Sequence, residues 1–214
     1  MGCTGSTLAL PDLGVLVHMS EENIIRNVAR FVDLDRRETD YFLSLLRTRE
    51  LARKEFLLRA GEVCRYETFI LKGCLRTYSI DDTGQEHIVG FGTEDWWVGD
   101  LFSFLAQSPA RYFIDALENS TVLQIDKQDL DRLYVEVPKF ERFFRILFQN
   151  AFISWQDRIN QNLSESAEQR YLHFITRYPG LEARIPQKHI AAYLGITPVF
   201  LSMLRRRRMH KKVL

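Results

Sequence analysis

Residues 187–206 read QKHIAAYLGITPVFLSMLRR. With Gln187 as the first position of a helix-turn-helix, Ala191 is fifth, where a small side chain lets two helices cross closely. Gly195 is ninth, where the turn calls for positive φ. Ile190, Leu194, Ile196, Leu201 and Leu204 fall on the apolar positions that hold such a pair together. Thr197 stands where an N-cap is needed, and Pro198 takes the first helical position, which has no use for an N–H. Each feature alone is weak, but all share one register and four arginines follow them.

The second helix of the pair, about Pro198 to Arg208, has the geometry to enter a major groove with its N-terminal residues at base edges. Val199 and Phe200 suit thymine methyl groups, and Ser202 a base edge or a phosphate. Met203 shares that exposed face. Arg205 and Arg206 are placed for bases or backbone, while Arg207 and the basic residues beyond it supply phosphate attraction. Gln187, Lys188 and Thr197 complete the candidate DNA-binding set.

Charge supports a polyanionic partner. The chain has 29 Lys/Arg and 28 Asp/Glu, yet residues 160–214 hold ten basic side chains against three acids, so the rest of the chain is acidic. A basic module on an acidic body is the pattern of a chain that meets nucleic acid. At 46% apolar and 27% charged residues the composition excludes global disorder. No apolar run is long enough to span a membrane, and three scattered cysteines make no disulfide framework. A cytoplasmic setting follows as the expectation.

Upstream of the motif, Ser164 is placed to cap a helix presenting Ala167, Tyr171, Phe174 and Ile175. Before it, Pro138 opens a long helix running to about Asn162. One row (Phe140, Phe144, Leu147, Ala151) follows the helical repeat, and a second (Phe148, Phe152, Trp155, Ile159) lies beside it. One stripe suffices for packing on a body, so the second suggests another copy of the chain. A fully buried core helix is the alternative.

From residue 51 to 125 short apolar stretches alternate with turn signals. Strands are expected at Phe56–Leu58, Thr68–Leu71, Leu75–Ile80, His87–Val89, Tyr112–Ile114 and Thr121–Ile125, with a turn at Asp82-Thr83-Gly84. That spacing suggests an antiparallel sandwich or roll. Asp126 caps a short helix, and Asp35 with Glu38 forms a capping box. Ser20 is expected to start the first helix, after a disordered extension over 1–18. The expected domains are a sensor over 19–136, a dimerisation helix over 137–162 and a helix-turn-helix domain over 163–214.

In this order of parts the sequence resembles the Crp/Fnr family of bacterial transcription regulators, over about residues 24–208. The resemblance rests on Ala60-Gly61-Glu62, Leu71-Lys72-Gly73, Asp82-Thr83-Gly84, Gly99-Asp100-Leu101, the long helix after Pro138 and the C-terminal motif. It implies an α+β chain: an antiparallel, jelly-roll-like β-roll of the cyclic-nucleotide-binding kind with flanking helices, a long dimerisation helix, and a winged-helix-like C-terminal domain. Double-stranded DNA, a second copy and RNA polymerase are the implied partners, with no membrane. The effector pocket it implies comprises Trp97, Gly99, Asp100, Leu101, Arg111 and Tyr112.

The sequence departs from the family pattern in three places. Asp100 is shorter than the glutamate that cyclic-nucleotide binders place there, and Arg111 is followed by Tyr112-Phe113 rather than a small hydroxyl and alanine. An unidentified small-molecule effector other than a cyclic nucleotide is therefore expected. Cys64 and Cys74 read as small roll residues, since the cysteines do not reproduce the iron–sulfur cluster pattern of oxygen-sensing members. Met203 replaces an arginine that many relatives use. The competing reading is a cupin-like metal-dependent enzyme, which needs several histidines on one metal; the roll offers only Glu86-His87. If the second apolar row pairs two chains, light scattering at micromolar concentration will give about twice the 25.2 kDa chain mass; a persistent monomer contradicts it.

Overall fold

The computed structural model describes residues 13–211, with side-chain surroundings for 21–208. The first helix, α1, spans Leu13–Ala29 and buries Ile24 and Val28. It begins well before Ser20, which lies inside it rather than at its cap, and residues 13–18 are helical rather than an extension. The remainder of that expected extension, residues 1–12, lies outside the described residues. Helix α2, Arg36–Ser44, opens on the expected capping box: the Glu38 amide donates to the Asp35 carboxylate, and the Asp35 amide to the Glu38 carboxylate, both at 2.8 Å.

Eight strands follow among the described residues: β1 Arg47–Leu51, β2 Phe56–Leu58, β3 Tyr66–Lys72, β4 Leu75–Ile80, β5 Glu86–Gly92, β6 Trp97–Val98, β7 Phe113–Ala116 and β8 Ser120–Asp126. They pair antiparallel into two four-stranded sheets, ordered β1-β8-β3-β6 and β2-β7-β4-β5. The expected roll is therefore present. Two strands, one helix within the roll and a short helix over Leu181–Arg184 were not legible in the sequence. β1 reads RTREL and buries only Leu51, so it is held by backbone pairing with β8. β6 has two residues. Helix α3, Leu101–Ala106, is capped by Asp100.

The roll's core continues into the helices around it. Helix α4, Lys127–Glu136, is capped by Asp126, and helix α5, Lys139–Ser164, carries Phe140, Phe143 and Phe144 into that core. Trp97 meets Phe143 and Phe144 edge-on, with centroids 5.9 and 5.3 Å away. Each such buried ring contributes roughly 1.5–3 kcal/mol. The later part of α5 is different: Phe152, Ile153, Trp155, Ile159 and Leu163 are exposed. A fully buried helix is thereby excluded.

Helix α5 runs through Ser164, so the next helix, α6 (Ala167–Arg177), is capped by Ser166 with Gln169 in a capping box rather than by Ser164. Helices α7 (Leu181–Arg184), α8 (Gln187–Leu194) and α9 (Pro198–Lys211) complete the described residues. Among the described residues no strand follows β8, so the wing implied by the resemblance has no strand to form it there. These helices share a second core with sheet β2-β7-β4-β5. Phe91 of β5 lies 5.7 Å from Tyr178 and 5.4 Å from Tyr193.

The β3–β4 turn needs glycine on two counts. Gly73 has φ +108°, and a Cβ there would lie 2.7 Å from the Ser120 backbone. Gly84, also at positive φ, faces open space. Gly73→Ala will therefore lower unfolding free energy by about 1–3 kcal/mol, more than Gly84→Ala, in chemical denaturation. Equal losses would show that φ alone matters.

Candidate functional site

The helix pair α8–α9 is built as its register requires. Ile190, Ala191, Leu194, Leu201 and Leu204 are buried between the helices and their supports. Gly195 takes φ +65°, and the Ile196 amide donates to the Ala191 carbonyl at 3.0 Å. The Thr197 hydroxyl accepts from the Phe200 amide at 3.2 Å, capping α9. This turns outward the residues expected there: Val199 is 72% exposed, Met203 44% and Phe200 37%.

The polar candidates divide. Gln187 and Lys188 are exposed at the start of α8, and the Ser202 hydroxyl donates to the Pro198 carbonyl and reaches Gln187 Oε1 at 3.2 Å. Arg206 and Arg207 are exposed. Arg205 instead turns toward α7, with Nε 3.3 Å from the Glu182 carboxylate, and Arg208 approaches the same carboxylate at 3.9 Å. Tyr171 donates to it as well. Glu182 thus gathers one side of the arginine run against the body and leaves the other side to solvent.

A buried polar cluster joins this unit to the roll. Arg76 of β4 donates through Nε and Nη2 to both Asp115 oxygens, at 2.7 and 3.0 Å, and pairs with Glu86 at 2.5 Å. Its Nη1 also lies 3.2 Å from His189 Nδ1 of α8. His189 is buried, and desolvation, aided by the Arg76 charge, pushes its pKa down to about 4. The neutral ring accepts from the guanidinium. A second cluster sets Arg184 of α7 between Glu94 and Glu118. No local pattern marked Arg76, Glu86 and Asp115 as a group, because three strands bring them together.

The expected effector residues are only partly assembled. Trp97, Gly99 and Leu101 line a cavity of about 680 Å³ between the roll, α1, α5 and the C-terminal helices. Asp100, Arg111 and Tyr112 line neither this cavity nor a smaller one of about 180 Å³ inside the roll. The Asp100 carboxylate is buried and engaged by the amides of Ser103 and Arg111, at 3.0 and 2.9 Å. The Arg111 guanidinium lies over the Phe102 ring, and Tyr112 sits beside Trp155. The large cavity adds side chains that sequence reasoning missed: Glu67, Arg158 and Arg177. Glu67 lies in a β3 run with four consecutive buried residues, and burial pushes its pKa up to about 8.

Cys64 and Cys74 lie in separate cores, and burial pushes their thiols up to about 11 and about 12. Set in different cores, the two are not placed to ligate one cluster together. Cys3 lies outside the described residues. Among the described residues no group of three His, Cys, Asp or Glu side chains is arranged for a metal, and no helix is long and apolar enough to cross a membrane.

The cyclic nucleotide-binding domain family matches residues 48–136. An anaerobic regulatory protein of Pasteurella multocida (strain Pm70) is 30% identical over 207 residues, covering 89% of this chain and 73% of the relative. A fumarate and nitrate reduction regulatory protein of Vibrio cholerae is 28% identical over 215 residues, covering 94% and 84%. The solved structure of FixK2 from Bradyrhizobium japonicum is similar in fold, with a TM-score of 0.68 at 15% identity, over 79% of this chain and 87% of that one.

The His189 geometry carries a pH dependence. Between its folded value of about 4 and its ordinary 6.5, His189 is neutral in the folded chain and charged in the unfolded one. Stability therefore falls as pH drops through that window. Against His189→Asn, which keeps an acceptor but does not titrate, the native chain will lose on the order of 2–3 kcal/mol more between pH 6.5 and 4 in denaturant titrations. Parallel profiles would show that His189 is not held neutral by its burial in the fold.

Proposed function

The chain belongs to the Crp/Fnr family of transcription regulators, and from that premise we propose that it binds double-stranded DNA as a homodimer, with α9 in the major groove. The outward face of α9 carries this reading: Val199, Phe200 and Met203 stand exposed beside Arg206 and Arg207, on a helix that packs Leu201 and Leu204 inward and turns this face to solvent. Base edges meet Val199, Phe200, Ser202 and Met203. Arg206 and Arg207 take phosphates, while Gln187, Lys188 and Thr197 sit at the rim. Arg205, already facing Glu182, acts by orienting the helix.

Dimerisation is assigned to α5. Its exposed Phe152, Ile153, Ile159 and Leu163 crowd large apolar side chains onto the uncovered part of one helix, the kind of surface that marks an interaction site. The sensor is the roll and its adjoining cavity, binding a small-molecule effector other than a cyclic nucleotide, in a cytoplasmic regulator with RNA polymerase as a further partner. The enzyme alternative is not favoured: Glu86 pairs with Arg76, and His87 with Asp81 at 2.6 Å, so neither is disposed toward a metal.

Fluorescence anisotropy on fragments selected from random duplex DNA tests this. Affinity will fall steeply with salt, and the selected site will be a near-palindrome. Arg206→Ala with Arg207→Ala will weaken binding and reduce the salt slope by about 1–2, at roughly 0.9 per phosphate contact. Salt-insensitive binding, or an unchanged slope in the double variant, would reject the docking of α9.

A further inference from the structure

We propose that the cavity between the roll, α5 and the C-terminal helices binds an apolar organic monoanion, an aryl or alkyl carboxylate, with its head group on Arg158 and Arg177 and its body against the tryptophans. The inference deepens the regulator reading by naming the class of effector. It places the anion on Arg158 and Arg177 rather than on Asp100 and Arg111, which do not line this cavity.

The arginines are the first observation. Arg158 of α5 is half-buried, its guanidinium 3.6 Å from the Tyr193 ring centroid, and it donates to the Tyr193 carbonyl. Arg177 of α6 donates to Ser154 Oγ at 3.3 Å and lies 5.2 Å from the Trp96 centroid. Among the described residues neither has a carboxylate within ion-pair distance, whereas Arg76 and Arg184 each have two. The Arg158 guanidinium, partly drawn out of water over an aromatic ring and with donors to spare, is a receptor for a planar carboxylate, and the exposed Arg177 flanks it at the mouth of the cavity.

Charge balance sets the valence. The cavity is lined by three arginines (Arg30, Arg158, Arg177) and three carboxyls (Glu67, Asp95, Asp157), besides His173, which sits 3.2 Å from Glu165. Arg30 and Asp95 pair at 3.7 Å. Glu67 is buried and protonated at neutral pH, since desolvation raises its pKa to about 8. One positive charge is left, which one anionic group balances. The body of the ligand is set by the walls: the three tryptophans of the chain, Trp96, Trp97 and Trp155, all line the cavity. Because those walls come from β5, β6, α5, α6 and α8, an occupant bears on the placement of α8 against the roll.

Tryptophan fluorescence of the full chain titrated with 4-phenylbutyrate tests the proposal, beside the neutral 4-phenylbutyramide, inorganic phosphate and cyclic AMP, a monoanion with a polar body. A saturable change is expected with the carboxylate, binding about tenfold or more weaker with the amide, and none with phosphate or cyclic AMP. Arg158→Leu will weaken carboxylate binding about tenfold or more while Arg158→Lys keeps part of it, with circular dichroism unchanged in both. No saturation with phenylbutyrate, equal affinity for acid and amide, or tighter binding of cyclic AMP overturns the proposal. If Arg158→Leu fails to fold, the comparison of acid and amide on the native chain decides. Carboxylate binding is read without DNA and DNA affinity is read separately, so failure of one reading is distinguishable from failure of the other.

Discussion

Phe91 is where the two halves of the chain become one body. It projects from β5 into Phe174, Tyr178 and Tyr193, so the second sheet supplies a wall of the core on which α6, α8 and α9 pack. The buried side chains of these helices close their core on Tyr78, Ile88 and Phe91, so the roll provides one of its walls. The Arg76 cluster adds orientation. A buried guanidinium gains little net stability, because desolvation offsets much of its attraction to Asp115 and Glu86. Its geometry is strict, however, and rotating α8 would remove His189, the third partner of the guanidinium. The seam therefore sets the direction in which α9 leaves the body.

Helix α5 runs along both halves and treats them differently. At about 1.5 Å per residue its 26 residues extend for roughly 39 Å. The first turns are locked by Phe140, Phe143 and Phe144 against Trp97. Farther on, Arg158 reaches across to Tyr193 of α8 while Phe152, Ile153 and Ile159 remain uncovered. In the proposed regulator this one helix touches the second copy, the cavity and the DNA-reading unit. A change in what fills the cavity has a short mechanical route to the spacing of the two recognition helices.

The legible parts of the sequence were those with local causes. The capping boxes and caps at Asp35, Asp126 and Thr197, the turn at Gly195 and the β4 strand are each specified by residues within a turn or a strand's length of one another. Where two local signals competed, the reading slipped. Ser164 and Ser166 are both helix caps in principle, but only Ser166 has Gln169 three residues on to close the box. The start of α1 slipped for a similar reason, since Ser20 offers a cap to a helix that had already begun.

What the sequence by itself determined is the list of parts and the outward face of α9, because periodicity, caps and turn residues act over a few positions. Tertiary structure alone decided which polar groups are used up and which remain available. Asp100 looked like a ligand contact and is occupied by the amides of Ser103 and Arg111; Arg205 looked like a base contact and faces Glu182. Glu67 and Arg158, unremarkable in the chain, became unusual only once burial removed their water. Desolvation and pairing are properties of surroundings that meet from distant positions, and no local pattern encodes them.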